Sequence, residues 1–348
     1  MAALLICIGG IKEATRAIRN LMQGDETHRH ELSSARHRRR PPRFSGGALQ
    51  FDENDEEYDA ADRNVAFPEE LRYLHNVDDP LLPNDRVLFW HVPRTGAATI
   101  KTIAAQCFGL LLAAENGAAA ASDKLTIISD LEGGKYVNVD TSTREGIEHA
   151  RAVDLANMRG LNLVASSYLY DAAENLFSEK FKGRCITMLR HPVERAASLF
   201  YYLSTHPNNI VTPAMTLEQY AASDRVERNW MTRFLSNSLD KEVTTEHLVL
   251  AMHVLERKCI VGMLNFKVES LRRFETYFGW TLDGESVNDC HAKLLDWDWP
   301  NKNKHVAVKE GTEAWRKLAS VNDLDMKLYR HAEKVFRQQG IQLFGKNQ

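Results

Sequence analysis

The chain has 348 residues, 44% of them apolar, enough for one large domain or two small ones with a sizeable core. A formal net charge of −3 supplies no general attraction to nucleic acid or to an anionic membrane. Five cysteines (Cys7, Cys107, Cys185, Cys259, Cys290) lack CxxC or CxH spacing, which excludes a dense disulfide framework, disfavours zinc, and leaves room for one disulfide that spacing cannot assign.

The opening run Ala2-Ala3-Leu4-Leu5-Ile6-Cys7-Ile8-Gly9-Gly10-Ile11 stops at Lys12 and Glu13, short of the roughly 20 apolar residues a membrane-crossing helix needs. It has no basic flank or small-residue cleavage site, so it reads as a short amphipathic helix rather than a signal peptide. Residues 24–62 carry a basic block, Arg36-His37-Arg38-Arg39-Arg40-Pro41-Pro42-Arg43, followed by an acidic one, Asp52-Glu53-Asn54-Asp55-Glu56-Glu57. Few of these residues can enter a core, so the segment reads as a disordered charged linker. The arginines are either a polyanion-binding arm or a solvated stretch offset by the acids. Residues 1–62 thus precede a folded domain, 63–348.

From residue 85 the pattern is alternating α/β. Short apolar runs rich in β-branched residues predict strands at 86–91, 125–129, 162–166, 184–189 and 259–263. Helical periodicity covers 99–108, 143–158, 192–204, 226–235, 245–258 and 268–278. Residues 111–122, alanine-rich and broken by Asn116-Gly117, read as a surface loop. Strands alternating with helices imply a mostly parallel sheet flanked by helices on both faces, with ligands at the strands' carboxyl ends.

Two turns between a strand and a helix carry the chemistry. The first is His91-Val92-Pro93-Arg94-Thr95-Gly96-Ala97-Ala98-Thr99. Gly96 permits an unusual backbone angle, Ala97 and Ala98 keep side chains away, and the amides of residues 95–99 can wrap a phosphate. The Thr95 and Thr99 hydroxyls are expected as further donors, with the Arg94 guanidinium beside the same anion. GxxxxGK[ST] is absent, which disfavours an ordinary ATPase or nucleotide kinase. The second turn is Leu189-Arg190-His191-Pro192-Val193-Glu194-Arg195-Ala196-Ala197-Ser198. Arg190 at a strand end either clamps a phosphate through two parallel hydrogen bonds or satisfies local carbonyls and Glu194.

Together the two turns resemble the nucleotide site of carbohydrate sulfotransferases, above all the heparan sulfate 2-O- and 6-O-sulfotransferases, whose loops read H-x-P-K-T-G-G-T-T and L-R-D-P-V-x-R-x-x-S. A third likeness, Val321-Asn322-Asp323-Leu324-Asp325-Met326-Lys327-Leu328-Tyr329, resembles the family's C-terminal helix N-x-L-D-x-x-L-Y. The resemblance spans about residues 85–340 in order and spacing. It implies a P-loop-like α/β sulfotransferase fold using 3′-phosphoadenosine 5′-phosphosulfate (PAPS) as co-substrate, without a metal. By match, Arg94, Thr95, Gly96, Ala97, Ala98 and Thr99 hold the 5′-phosphosulfate end, with Arg94 in the catalytic role, and Arg190 and Ser198 hold the 3′-phosphate. A glycan or other hydroxyl-bearing acceptor is implied, as is a Golgi membrane location facing the lumen, though the chain shows no convincing anchor.

Departures from the pattern bear on activity. The family lysine is Arg94 here, as in the P-R-[ST]-G loop of tyrosylprotein sulfotransferases, and the two cations are not equivalent in geometry. The family's basic histidine has no counterpart in Val164-Ala165-Ser166-Ser167-Tyr168. Asp171 or Glu174 would have to replace it, unless both are ordinary polar positions at a helix start. A catalytically impaired nucleotide- or glycan-binding protein on the same scaffold is therefore the alternative. His91 is expected to pack and bond the loop, and His191, in place of the family's aspartate, to support it. The run Trp297-Asp298-Trp299-Pro300-Asn301-Lys302-Asn303-Lys304-His305 is either a sugar- or nucleotide-covering loop or a surface connection.

Overall fold

The structure is a computed structural model and describes residues 65–205, 214–280, 285–295 and 305–345. The helix expected at the N-terminus, the expected charged linker and nearly all of the 297–305 run lie outside these residues.

Seven strands form one sheet. They are β1 (Arg86–Trp90), β2 (Leu111–Ala113), β3 (Ile127–Ser129), β4 (Lys135–Val137), β5 (Leu163–Ser166), β6 (Gly183–Leu189) and β7 (Cys259–Met263). Their spatial order is β3-β4-β2-β5-β1-β6-β7. Every pairing is parallel except β3 with β4. The helices are α1 (Ala97–Thr102), α2 (Arg144–Ala152), α3 (Leu169–Asn175), α4 (Pro192–Thr205), α5 (Leu217–Ala221), α6 (Trp230–Leu235), α7 (Thr245–Lys258), α8 (Lys267–Phe278), α9 (Glu285–Leu295), α10 (Glu313–Ser320) and α11 (Asp323–Phe344).

Both faces of the sheet are buried across β1, β2, β5, β6 and β7, as the continuous apolar runs require, whereas the edge strand β3 is largely exposed. Successive strand residues point to opposite faces, so Leu88 and Trp90 enter one core while Val87 and Phe89 enter the other. The first core is closed by α2, α3, α6, α7 and α11, the second by α1, α8 and α9. A smaller cluster joins α4, α5 and α10 through Phe200, Tyr220 and Leu318. The fold is α/β, with a mostly parallel sheet between helical layers.

Four strands lie within about a residue of their expected places. The stretch expected as a surface loop instead contains β2, buried in the sheet between β4 and β5. Leu111-Leu112-Ala113 has no β-branched residue, so burial on both faces, not propensity, makes it a strand. The helix expected over 99–108 begins two residues earlier and continues as a π-helical turn, Ile103–Cys107. Asp154, at φ +59°, ends the expected 143–158 helix early.

Four cysteines pair, against the single disulfide allowed for. Cys107–Cys290 ties the π-turn to α9, and Cys185–Cys259 joins facing positions of β6 and β7. The outer edge of β7 is covered by α11, whose Gln339 accepts from Val261 N and donates to Cys259 O, both at 2.9 Å. A side-chain amide here takes the place of a further strand.

Candidate functional site

The chain runs outward from β1 to β2, returns to β5 beside β1, and then crosses to β6 on the other flank. Loops leaving β1, β5 and β6 therefore open toward one crevice at the carboxyl edge, where such sheets bind ligands. The two sequence motifs are the loops after β1 and β6.

The first loop is pinned from below. His91 N donates to Ser166 O at 2.9 Å, Ser167 Oγ donates to His91 O at 2.7 Å, and Trp90 Nε1 donates to Ser167 O at 3.1 Å. Two residues then take left-handed backbone angles, Arg94 at φ +69° and Gly96 at φ +81°. Gly96 occupies the N-cap of α1 and brings no side chain to cap its first turn. Two expected contacts are redirected. The Thr95 hydroxyl is fully buried and donates to Val92 O at 2.8 Å, and Thr99 N donates to Gly96 O at 3.1 Å. Ala97 packs into the core, whereas Ala98 is exposed and Thr99 half-buried.

The second loop meets the first at Arg94. Arg94 Nε donates to Ser198 Oγ at 3.2 Å, although 104 positions separate them. Arg190 Nη1 donates to Arg94 O at 3.3 Å, and Arg190 Nη2 pairs with Glu194 Oε2 at 3.0 Å. The Arg94 guanidinium also lies over the Tyr202 ring, 4.6 Å from its centroid. Burial lowers the pKa of Arg94; Tyr202 opposes that shift and Arg190 adds to it. Two cations and a buried serine hydroxyl are thus assembled with Glu194 as the carboxylate paired to Arg190. The arrangement suits a polyanion with more than one phosphate.

Behind the loop lies a cluster that sequence reasoning missed. Lys101 on α1 pairs with Glu115 and approaches His91 Nδ1 at 3.4 Å. Burial, then the Lys101 ammonium, hold His91 down to about 3, so its imidazole is neutral, in line with a packing role. Burial alone would raise Glu115, but the Lys101 ammonium overrides it and holds the carboxyl at about 2. Glu115 Oε2 is buried without a hydrogen-bond partner.

No histidine stands at the end of β5. Asp171 pairs with Arg144 at 3.4 Å and Glu174 with Arg72 at 3.6 Å, both at the surface. His191 packs edge-on to Tyr329 at 5.4 Å and near Trp315 at 6.4 Å, supporting the second loop by contact. His305, the described end of the 297–305 run, stacks on Tyr201 at 4.8 Å. No cluster of three or more metal-ligating side chains occurs among the described residues.

The third motif has a structural task. Asp325, fully buried, accepts from Met231 N at 3.0 Å and from Thr232 N and Oγ1 at 2.8 Å, capping α6. In return Asn229 Oδ1 accepts from Leu324 N and Asp325 N, capping α11. Two helix starts cap each other, each supplying the side chain the other lacks.

No family model matches the chain, and no curated protein matches it. Among solved structures, it is similar to mouse sulfotransferase SULT7A1 complexed with PAP. Identity is 14%, covering 76% of this chain and 86% of that one, with a TM-score of 0.34.

Proposed function

We propose that this chain is a sulfotransferase that moves the sulfuryl group of PAPS to a hydroxyl of a glycan or related acceptor. The observation that carries this reading is the meeting of Arg94, Ser198 and Arg190 at one point of the carboxyl edge. The open first turn of α1 and Arg94 receive the 5′-phosphosulfate end; Arg190 and Ser198 receive the 3′-phosphate. In the transfer, the sulfur–oxygen bond to the 5′-phosphate breaks as the acceptor oxygen bonds to sulfur. The Arg94 cation then faces the charge growing on the departing phosphate oxygen. No metal enters this scheme. The acceptor's proton goes to a base not yet assigned.

The two disulfides support an oxidising, lumenal compartment, and with it the Golgi placement that the resemblance implies. Association with a membrane belongs to the same proposal. No described helix is long and apolar enough to cross one.

The test is calorimetric titration of the full chain with adenosine 3′,5′-bisphosphate, with ATP as the control ligand. Tight bisphosphate binding is expected with weak ATP binding. Arg190→Ala is expected to weaken the bisphosphate by more than about tenfold, from the loss of charge-assisted hydrogen bonds. Equal affinity in wild type and variant, or a preference for ATP, overturns the assignment.

A second reading, a binding protein without turnover, is favoured by one observation. At the end of β5, Ser167 donates to His91 O, and the nearby carboxylates Asp171 and Glu174 are engaged in ion pairs. It predicts nucleotide binding without sulfate transfer, and transfer from PAPS above solvent background eliminates it.

A further inference from the structure

Arg94 stands where the resembled loop has lysine, and its surroundings suit a guanidinium. Its Nε donates to Ser198 Oγ at 3.2 Å while its Cζ lies 4.6 Å from the centre of the Tyr202 ring. Ser198 and Tyr202 are four residues apart on α4, hence on one side of that helix. Ser198 is buried, whereas Tyr202 is 39% exposed. A guanidinium can donate in its plane and stack through its face at the same time; an ammonium has no plane to align. The Arg94 backbone is left-handed, at φ +69°, and the far end of its side chain is held by the contacts with Ser198 and Tyr202.

Resting on the nucleotide reading above, we propose that Tyr202 is a positioning residue for Arg94. Its ring face and the Ser198 hydroxyl, one helical turn apart, orient the guanidinium toward the phosphate-bearing side of the crevice. Arg94 and Tyr202 then act as a unit: arginine replaces lysine in this loop because an aromatic face is present to align it. Tyr202 does not contact the reacting atoms in this scheme and acts only through Arg94.

The test is a double-mutant cycle on the full chain, read by calorimetric titration with adenosine 3′,5′-bisphosphate. The chains are wild type, Tyr202→Phe, Tyr202→Leu, Arg94→Lys and Arg94→Lys/Tyr202→Leu, each checked for folding by thermal unfolding. Tyr202→Phe keeps the ring and is expected to bind within about threefold of wild type. Tyr202→Leu is expected to weaken binding by about threefold to thirtyfold, the range of a cation–ring contact from exposed to desolvated. In the Arg94→Lys background the same change has a smaller effect. General loosening by leucine would appear in both backgrounds, so the cycle isolates the pair. Equal losses in both backgrounds, no loss with leucine, or a loss with phenylalanine as large as with leucine overturns the proposal. Failure of the wild type to bind the bisphosphate overturns the nucleotide reading itself and this proposal with it, an outcome distinct from the other three.

Discussion

Replacing Gly96 by alanine tests whether the first loop is built as described. At φ +81° an L-residue pays about 1–2 kcal/mol for the left-handed conformation. An added Cβ would also lie 2.8 Å from Leu264 Cδ1, too close for either atom to stay in place. That methyl is the tip of a flexible side chain, so moving it adds about 1 kcal/mol, the low end of overpacking. The smaller entropy of the unfolded chain returns about 0.4–1 kcal/mol. The net loss is about 1–3 kcal/mol, or roughly 2–4 °C in Tm for each kcal/mol. Gly109 is the internal control: it also has positive φ, +63°, but an added Cβ there meets nothing within 4 Å. Gly109→Ala therefore carries the strain without the clash, and the two variants should differ by about 1 kcal/mol. Thermal unfolding of both variants, with bisphosphate titration, is the assay. Gly96→Ala should melt below Gly109→Ala and bind nucleotide more weakly, because relieving the contact moves the start of α1. If the two variants melt together, or if Gly96→Ala keeps wild-type affinity, the loop geometry does not govern the site.

Asp325→Ala strips three donors of their buried acceptor and should cost about 3–5 kcal/mol in urea unfolding, with Asp325→Asn milder; a loss below about 1 kcal/mol refutes the mutual capping of α6 and α11. Acidification should destabilise the chain through two groups whose folded pKa values are depressed. Between pH 6.5 and about 3 the unfolded state takes up a proton that half-buried His91 refuses, and Glu115 does the same between 4.5 and about 2, so the contribution of these two groups to stability falls as pH falls. His91→Gln should flatten the upper part of that decline in melting temperature measured across pH, and an unchanged profile counts against the cluster. Asp171→Asn and Glu174→Gln each remove only a surface pair and should leave sulfate transfer within about twofold; a loss of about a hundredfold or more in kcat would instead identify the base.

Much of the sheet was legible because β1, β5, β6 and β7 are continuous apolar runs ended by polar turns, the pattern of parallel strands buried on both faces. β2 and β4 were not, since three-residue strands carry too little pattern, and β2 is also followed by an alanine-rich stretch. The two loops were legible as polar strand-to-helix turns, but the direction of each hydrogen bond was not. Thr95 illustrates this: its sequence context says donor to phosphate, whereas burial turns its hydroxyl onto Val92 O. Tyr202 left a faint signal, an aromatic one helical turn beyond Ser198 in a chain with arginine in the loop. Glu115 left none, because only the fold brings it to Lys101. Asp325 was visible as part of a motif, yet its work, capping a helix more than 90 residues earlier, depends on tertiary structure.

The loop after β1 holds two left-handed residues, and only one of them is glycine. Gly96 adopts its angle at no steric cost, but Arg94 pays about 1 kcal/mol or more for φ +69°. A second glycine would remove that cost. The arginine also gives up solvent, as its lowered pKa records, and lies close enough to Arg190 for the two cations to disfavour each other. Ser198, Tyr202 and Glu194 offset part of this, yet one neutral hydroxyl acceptor, one ring face and one carboxylate carry less negative charge than the two guanidinium groups carry positive. A ligand that brings phosphate groups to both arginines relieves the repulsion and uses the strained geometry. Strain, partial burial and like charge occur at the same residue, and in the proposed nucleotide complex the phosphate groups would answer the last of these.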